Sequence, residues 1–234
     1  MKCRAFMLAA LLCGSALAAP LKIGVTPGSL ADSVNVAAQE ARQAGLEVQV
    51  IEFTDWTAPN TALDAGDIDV NYFQHQAFLD NAIRERGYRI ESVGLGLLPN
   101  IGLYSKKYQS LADIPNGASV GVANDPVNQA RGLLLLQSAG LLRLRDGVGA
   151  KASVADVAGN PRRLRLVEVE GPQLVRAIDD LALAQGYPAH FVNDGQSELA
   201  RRALGLPETG ALPPGFEPSS HPKSLPVQVM PHHL

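Results

Sequence analysis

The period of apolar and polar positions changes several times along the chain, and each change marks an element. Leu21-Lys22-Ile23-Gly24-Val25 reads as a strand, and Pro27-Gly28 turns it. Helical spacing follows, with Leu30, Val34, Ala37, Ala41 and Ala44 on one face. Ser29 and Asp32 form a capping-box pattern at its start, and Gly45 closes it. Leu46 to Phe53 predicts a second strand, Pro59 to Ala65 a short helix, and Ile68 to Phe73 a third strand. An amphipathic helix then runs through Phe78, Leu79, Ala82 and Ile83 to Gly87.

A second series starts with a helical turn over Leu111 to Ile114 and a strand over Ala118 to Val122. Asp125-Pro126 supplies a cap and a first-turn proline for a helix reaching Ala139, and Gly140 ends it. Leu164 to Val169 predicts a strand, Pro172 to Asp180 a helix, and Leu181 to Gln185 a further strand. Ile90 to Lys107, with Gly94, Gly96, Pro99 and Gly102, reads as the crossover between the series. Repeated strand-helix-strand units imply an α/β fold of two lobes, each a largely parallel sheet with helices on its faces, and a ligand cleft between them.

The two ends of the chain have a different character. Lys2 and Arg4 precede an apolar run from Phe6 to Leu12, and Ala16-Leu17-Ala18 follows. That order is a secretory leader, too short in its apolar part to span a membrane. Cleavage is expected after Ala18 or Ala19, which would send the chain to the periplasm. Both cysteines, Cys3 and Cys13, lie in this leader, so the mature chain is expected to hold no disulfide and no thiolate. Lipid attachment at Cys13, with membrane association, is the alternative; it needs a small residue before the cysteine, and Leu12 is not small. Pro207 to Leu234 holds seven prolines and no periodic run, and this tail is expected to be disordered. The expected organisation is a leader over 1–19, a first lobe over 20–108, a second lobe with the start of a return segment over 109–206, and the tail over 207–234.

The formal net charge is −3, and loss of Lys2 and Arg4 makes it more negative by two. No Lys/Arg block accompanies it, so no nucleic-acid partner is expected. His221, His232 and His233 lack the spacing of a metal site, and there is no H-E-x-x-H motif or phosphate-cradling glycine loop. Neither metal nor cofactor is expected.

Several strings carry a resemblance. Glu52-Phe53-Thr54-Asp55-Trp56, Pro59-Asn60, Asn71-Tyr72-Phe73-Gln74-His75, Gly102-Leu103-Tyr104-Ser105-Lys106-Lys107 and Ala123-Asn124-Asp125-Pro126-Val127-Asn128-Gln129-Ala130-Arg131 resemble the NlpA-type methionine-binding family in the same order. The likeness continues through Ala139-Gly140-Leu141 and Asp146-Gly147-Val148-Gly149, covering about residues 21 to 181. It implies a type II periplasmic binding protein fold that captures methionine or a related amino acid and delivers it to the permease of an ABC importer. Two stretches depart from the family pattern. Where methionine-specific members carry an Asn-Gly-Asn segment, this chain reads Gln185-Gly186-Tyr187-Pro188-Ala189-His190-Phe191-Val192-Asn193. After Leu206 the tail stands where the family continues with a return strand and terminal helices, so a truncated or frame-shifted terminus is expected. A truncated, non-functional remnant is therefore the alternative function. A lyase built on the binding fold, with His75, Asp125 or Glu170 as its acid or base, is another.

A free amino acid presents a carboxylate, an ammonium and a side chain. The start of the Pro126 helix offers backbone N–H groups and the positive end of a helix dipole, and Arg131 one turn on can clamp a carboxylate. Asn124 and Asn128 are candidates to hydrogen-bond the amino and carboxylate groups. Trp56, Tyr72, Phe73 and Tyr104 are candidates for an apolar slot suited to a thioether, with a core role as the alternative for each. Tyr72 and Phe73 are expected on opposite faces of a regular strand. His75, just past a strand end, is a polar ligand contact or a helix cap.

Overall fold

The computed structural model describes residues 19–97 and 101–188. Residues 1–18 of the expected leader, Pro99, residues 189–193 and the proline-rich tail lie outside the described residues. Within them no helix is long and apolar enough to cross a membrane.

The first sheet contains β1 (Leu21–Val25), β2 (Val48–Glu52) and β3 (Val70–Tyr72), in the order β2-β1-β3 and all parallel. Between and after them run α1 (Ser29–Gln43), α2 (Ala58–Ala65) and α3 (Gln76–Arg86). Ala31, Val34 and Ala38 are buried on α1, the spacing of a single apolar stripe. The expected capping box at Ser29 is not formed. Gly28 is the cap residue, its carbonyl accepts the Asp32 N–H at 2.8 Å, and Ser29 is already the first helical position. A pattern of residue types cannot distinguish cap from first turn when a glycine able to adopt φ 108° stands one residue earlier.

The second sheet is mixed. Its order is β4-β9-β5-β8, with β4 (Gly102–Tyr104), β5 (Ser119–Ala123), β8 (Arg165–Val169) and β9 (Leu183–Gly186). Strand β5 runs parallel to both its neighbours, whereas β4 lies antiparallel on β9 with Leu103 opposite Gln185. Thus residues 102–104, which the expected boundary at 108 assigned to the first lobe, hydrogen-bond into the second sheet. Two short strands, β6 (Arg143–Leu144) and β7 (Val157–Gly159), pair antiparallel beside it; neither stood out in the sequence pattern. Helix α4 (Pro126–Ser138) packs Ala130, Leu133 and Leu136 against Val120, Val122 and Leu183, all essentially inaccessible. Each such leucine contributes about 1.5–3 kcal/mol by burial. The helix expected over 172–180 is shorter: a 3-10 turn at Gly171–Gln173 runs into α5 (Leu174–Ala177). Leu174, Val175 and Ile178 fold it onto Ala123 and Ala184.

Candidate ligand cleft

The residues that meet between the two sheets follow the C-terminal ends of parallel strands, where open α/β sheets gather ligand-facing loops. Thr26 and Pro27 follow β1, Trp56 follows β2, Phe73 to His75 follow β3, Asp125 to Asn128 follow β5, Gly171 follows β8 and Tyr187 follows β9. Most of them line one cleft of about 1100 Å³. This is more room than one amino acid needs, because the cleft continues past its polar end along Ile90 to Leu97.

The polar end is organised around Asn128, which is 3% exposed. Asp125 caps α4: its Oδ1 accepts the Asn128 N–H at 2.9 Å. The same carboxylate accepts the Asn128 Nδ2 group at 3.1 and 3.2 Å. With its amide nitrogen held there, Asn128 turns Oδ1 toward the cleft. His75 Nε2 lies 3.1 Å from that oxygen, and the Tyr187 hydroxyl donates to it at 3.1 Å. Arg131 Nη1 donates to the Tyr187 hydroxyl at 2.7 Å and reaches Asn128 Oδ1 at 3.4 Å. Asn128 and Arg131 share a helix face because they are three residues apart. The expected anion site at the start of α4 is already answered by the Asp125 carboxylate, so Arg131 is the cationic group this helix brings to the cleft.

His75 takes both roles considered for it. Its Nδ1 accepts the Phe78 N–H at 3.2 Å and caps α3, which leaves the ring proton on Nε2, facing Asn128. Burial lowers its pKa below the ordinary 6.5, and the Arg131 charge lowers it further. The Asn128 hydrogen bond and Asp125 oppose the shift. Burial pushes the Tyr187 phenol up, so it keeps its proton and can donate.

Aromatic rings wall the cleft beside this cluster. Trp56 meets Phe78 edge-on at 6.4 Å and Tyr187 at 6.2 Å, and Phe78 meets Phe73 at 6.0 Å and His75 at 6.2 Å. Strand β3 ends at Tyr72, so Phe73 escapes strand alternation and both residues line the cleft. Tyr72 is engaged elsewhere as well: its hydroxyl accepts the Leu97 N–H at 2.7 Å. Beneath the turn, Asn60 is 1% exposed and accepts from Asn71 Nδ2 at 2.9 Å and Gln74 Nε2 at 2.7 Å. Its own Nδ2 donates to Gln74 Oε1 at 2.8 Å, which closes an amide pair supporting the chain into His75.

Of the eight sequence candidates, the structure brings together Trp56, Tyr72, Phe73, His75, Asn128 and Arg131. Tyr104 is placed elsewhere. It is 2% exposed in the core of the second lobe among Ala123, Val175, Ile178 and Ala184, because its strand pairs with β9. Asn124 is exposed and does not line the cleft; its backbone N–H continues the β5–β8 ladder by donating to the Val169 carbonyl at 2.9 Å. Phe78 and Tyr187 also line the cleft, without having been singled out. Tyr187 stands inside the stretch that departs from the family pattern. Phe78 was readable only as an apolar helix position.

A profile of NlpA lipoproteins matches residues 21–206. The chain belongs to the NlpA lipoprotein family. Among its relatives, the D-methionine-binding lipoprotein MetQ of Yersinia pestis is 46% identical over 175 residues, covering 74% of this chain and 65% of the relative. The protein of the same name from Escherichia coli K12 is 45% identical, covering 70% and 61%. The chain therefore spans less than two thirds of the length of these curated relatives. A nutrient-binding protein from Burkholderia cenocepacia, solved bound to methionine, superposes with a TM-score of 0.74 at 40% identity, covering 78% of this chain and 77% of that one. The methionine-binding protein MetQ gives 0.72 at 43% identity, covering 75% and 73%. The α/β periplasmic-binding-protein fold expected from the sequence is that of these solved neighbours.

Proposed function

We propose that this chain is the solute-binding component of an ABC importer, taking up methionine or a closely related amino acid in the periplasm and passing it to a membrane permease. The observation that carries the reading is the pairing of one cation, Arg131, with one oriented acceptor, Asn128 Oδ1, at the aromatic end of an interlobe cleft. In this reading Arg131 and the Tyr187 hydroxyl take the ligand carboxylate, both by charge-assisted hydrogen bonds. Asn128 Oδ1 takes the ammonium, and His75 orders the approach from the opposite lobe. Trp56, Phe73 and Phe78 receive the side chain, where a polarisable thioether gains from contact with ring edges. The names of the relatives support a binding role rather than a catalytic one, and no chemical step is assigned to His75, Asp125 or Glu170. Export by the leader, with lipid attachment at Cys13 as the alternative form, suits a periplasmic role.

Trp56 is the only tryptophan of the chain and lies in the cleft, which makes it an internal reporter. Titration with methionine should give a saturable change in its fluorescence, and alanine should give a weaker one at higher concentration. A flat trace with a cooperatively folded protein would sink the proposal.

A further inference from the structure

Gln185 is an unusual residue for its position. It lies in β9 with the apolar Leu183 and Ala184 before it, and is 2% exposed. Leu183 falls in the same buried cluster as Ala130 and Leu133 of α4, so by strand alternation Leu183 and Gln185 present to that helix. Gln185 Nε2 donates to the Asn128 carbonyl at 3.0 Å. That carbonyl already serves the Gly132 N–H in helical geometry, so the glutamine fills its second lone pair. Two residues on, Tyr187 holds the Asn128 side-chain oxygen. Strand β9 and the residue just past its end therefore hold both oxygens of the residue at the centre of the cleft.

Gly132 permits this grip. A Cβ there would stand 1.4 Å from Gln185 Oε1 and 2.4 Å from its Cδ. The same Oε1 has no hydrogen-bond partner among the described residues. A buried acceptor without a partner is unfavourable, and a leucine would fill this space without that cost. The amide's other end, the donor on Asn128, is the use that a glutamine supplies and an apolar residue does not.

We propose that Gln185, admitted by Gly132, is a positioning residue for ligand capture: it fixes the first turn of α4, so that Asn128 and Arg131 meet the ligand in the correct register. The proposal rests on the binding role argued above, and its test separates the two. Calorimetric titration of the full chain with methionine would compare wild type with Gln185→Met, which keeps the volume and removes the donor. The expected loss is about tenfold in affinity, the equivalent of about 1.4 kcal/mol. Ile178→Val, which trims the other core cluster, serves as the stability control and should bind as wild type does.

Gly132→Ala and Gln185→Ala should each weaken binding. The double variant should be no weaker than Gln185→Ala, because the added methyl then has no amide to displace. Hydrogen exchange of peptides spanning α4 gives a readout independent of ligand, with protection lost near Asn128 in Gln185→Met and retained in Ile178→Val. Wild-type affinity and wild-type exchange in Gln185→Met overturn the proposal, as do additive losses in the double variant. A wild-type protein that ignores methionine, while Gln185→Met still loosens α4, overturns the binding role and leaves the positioning intact.

Discussion

His75 shows how much one side chain is asked to do. It caps α3 through Nδ1 and reaches across to Asn128 through Nε2, and the cap requires the neutral ring, whereas the Nε2 donor would survive protonation. Protonation would set a donor against the Phe78 N–H and a charge near Arg131. The unfolded imidazole titrates near 6.5 and the folded one below it. The unfolded chain therefore holds the extra proton as pH falls through that window. Stability from this group is full above about pH 6.5, declines as pH drops toward the folded pKa, and levels off below it. Melting temperature followed from pH 8 to pH 5 should decline less in His75→Gln than in wild type. Parallel curves would remove His75 from the account.

At the scale of elements, much was readable because the local signals agree with one another. Asp125-Pro126, the 130/133/136 apolar spacing and Gly140 each point to α4, and the helix runs from Pro126 to Ser138. The cleft residues on β3 and α4 could be named for the same reason, since strand ends and helix starts fix them locally. Tyr104 could not be placed that way. Its burial depends on β4 crossing to pair with β9, about 80 residues away, and no local pattern encodes that partner. Tyr187 was hidden likewise, because its role arises from Arg131 and Asn128 more than 50 residues earlier. The Asn60, Asn71 and Gln74 network lies between these cases. The residues stood out as strings, while their mutual hydrogen bonds required the fold. Asn60→Ala would strand the Asn71 and Gln74 amides in a half-buried setting and should cost about 1–3 kcal/mol in urea unfolding. A change within about 0.5 kcal/mol, the range of an ordinary surface substitution, would mean that the network is incidental.

For the molecule as a whole, the two lobes touch where Trp56 lies over Gly171 and where His75 meets Asn128. A Cβ on Gly171 would fall 2.0 Å from the Trp56 ring, so this contact requires a glycine. Gly171→Ala should hold the lobes apart at that point by displacing the Trp56 ring, while leaving Arg131, Asn128 and His75 unchanged in sequence. Small-angle scattering with saturating methionine is expected to give a larger radius of gyration than wild type, and the affinity should fall. Identical scattering and affinity would show that Trp56 docks elsewhere when ligand is bound.

The central claim is that the cleft takes an amino acid by its carboxylate through Arg131, and isothermal titration of Arg131→Ala with methionine tests it most directly. Charge-assisted hydrogen bonds are worth about 1.5–3 kcal/mol each, so the variant should bind at least about tenfold more weakly while melting as wild type does. Arg131→Lys should recover only part of the loss, because an ammonium keeps the charge and loses the planar fork. Affinity in Arg131→Ala equal to that of wild type would contradict the account.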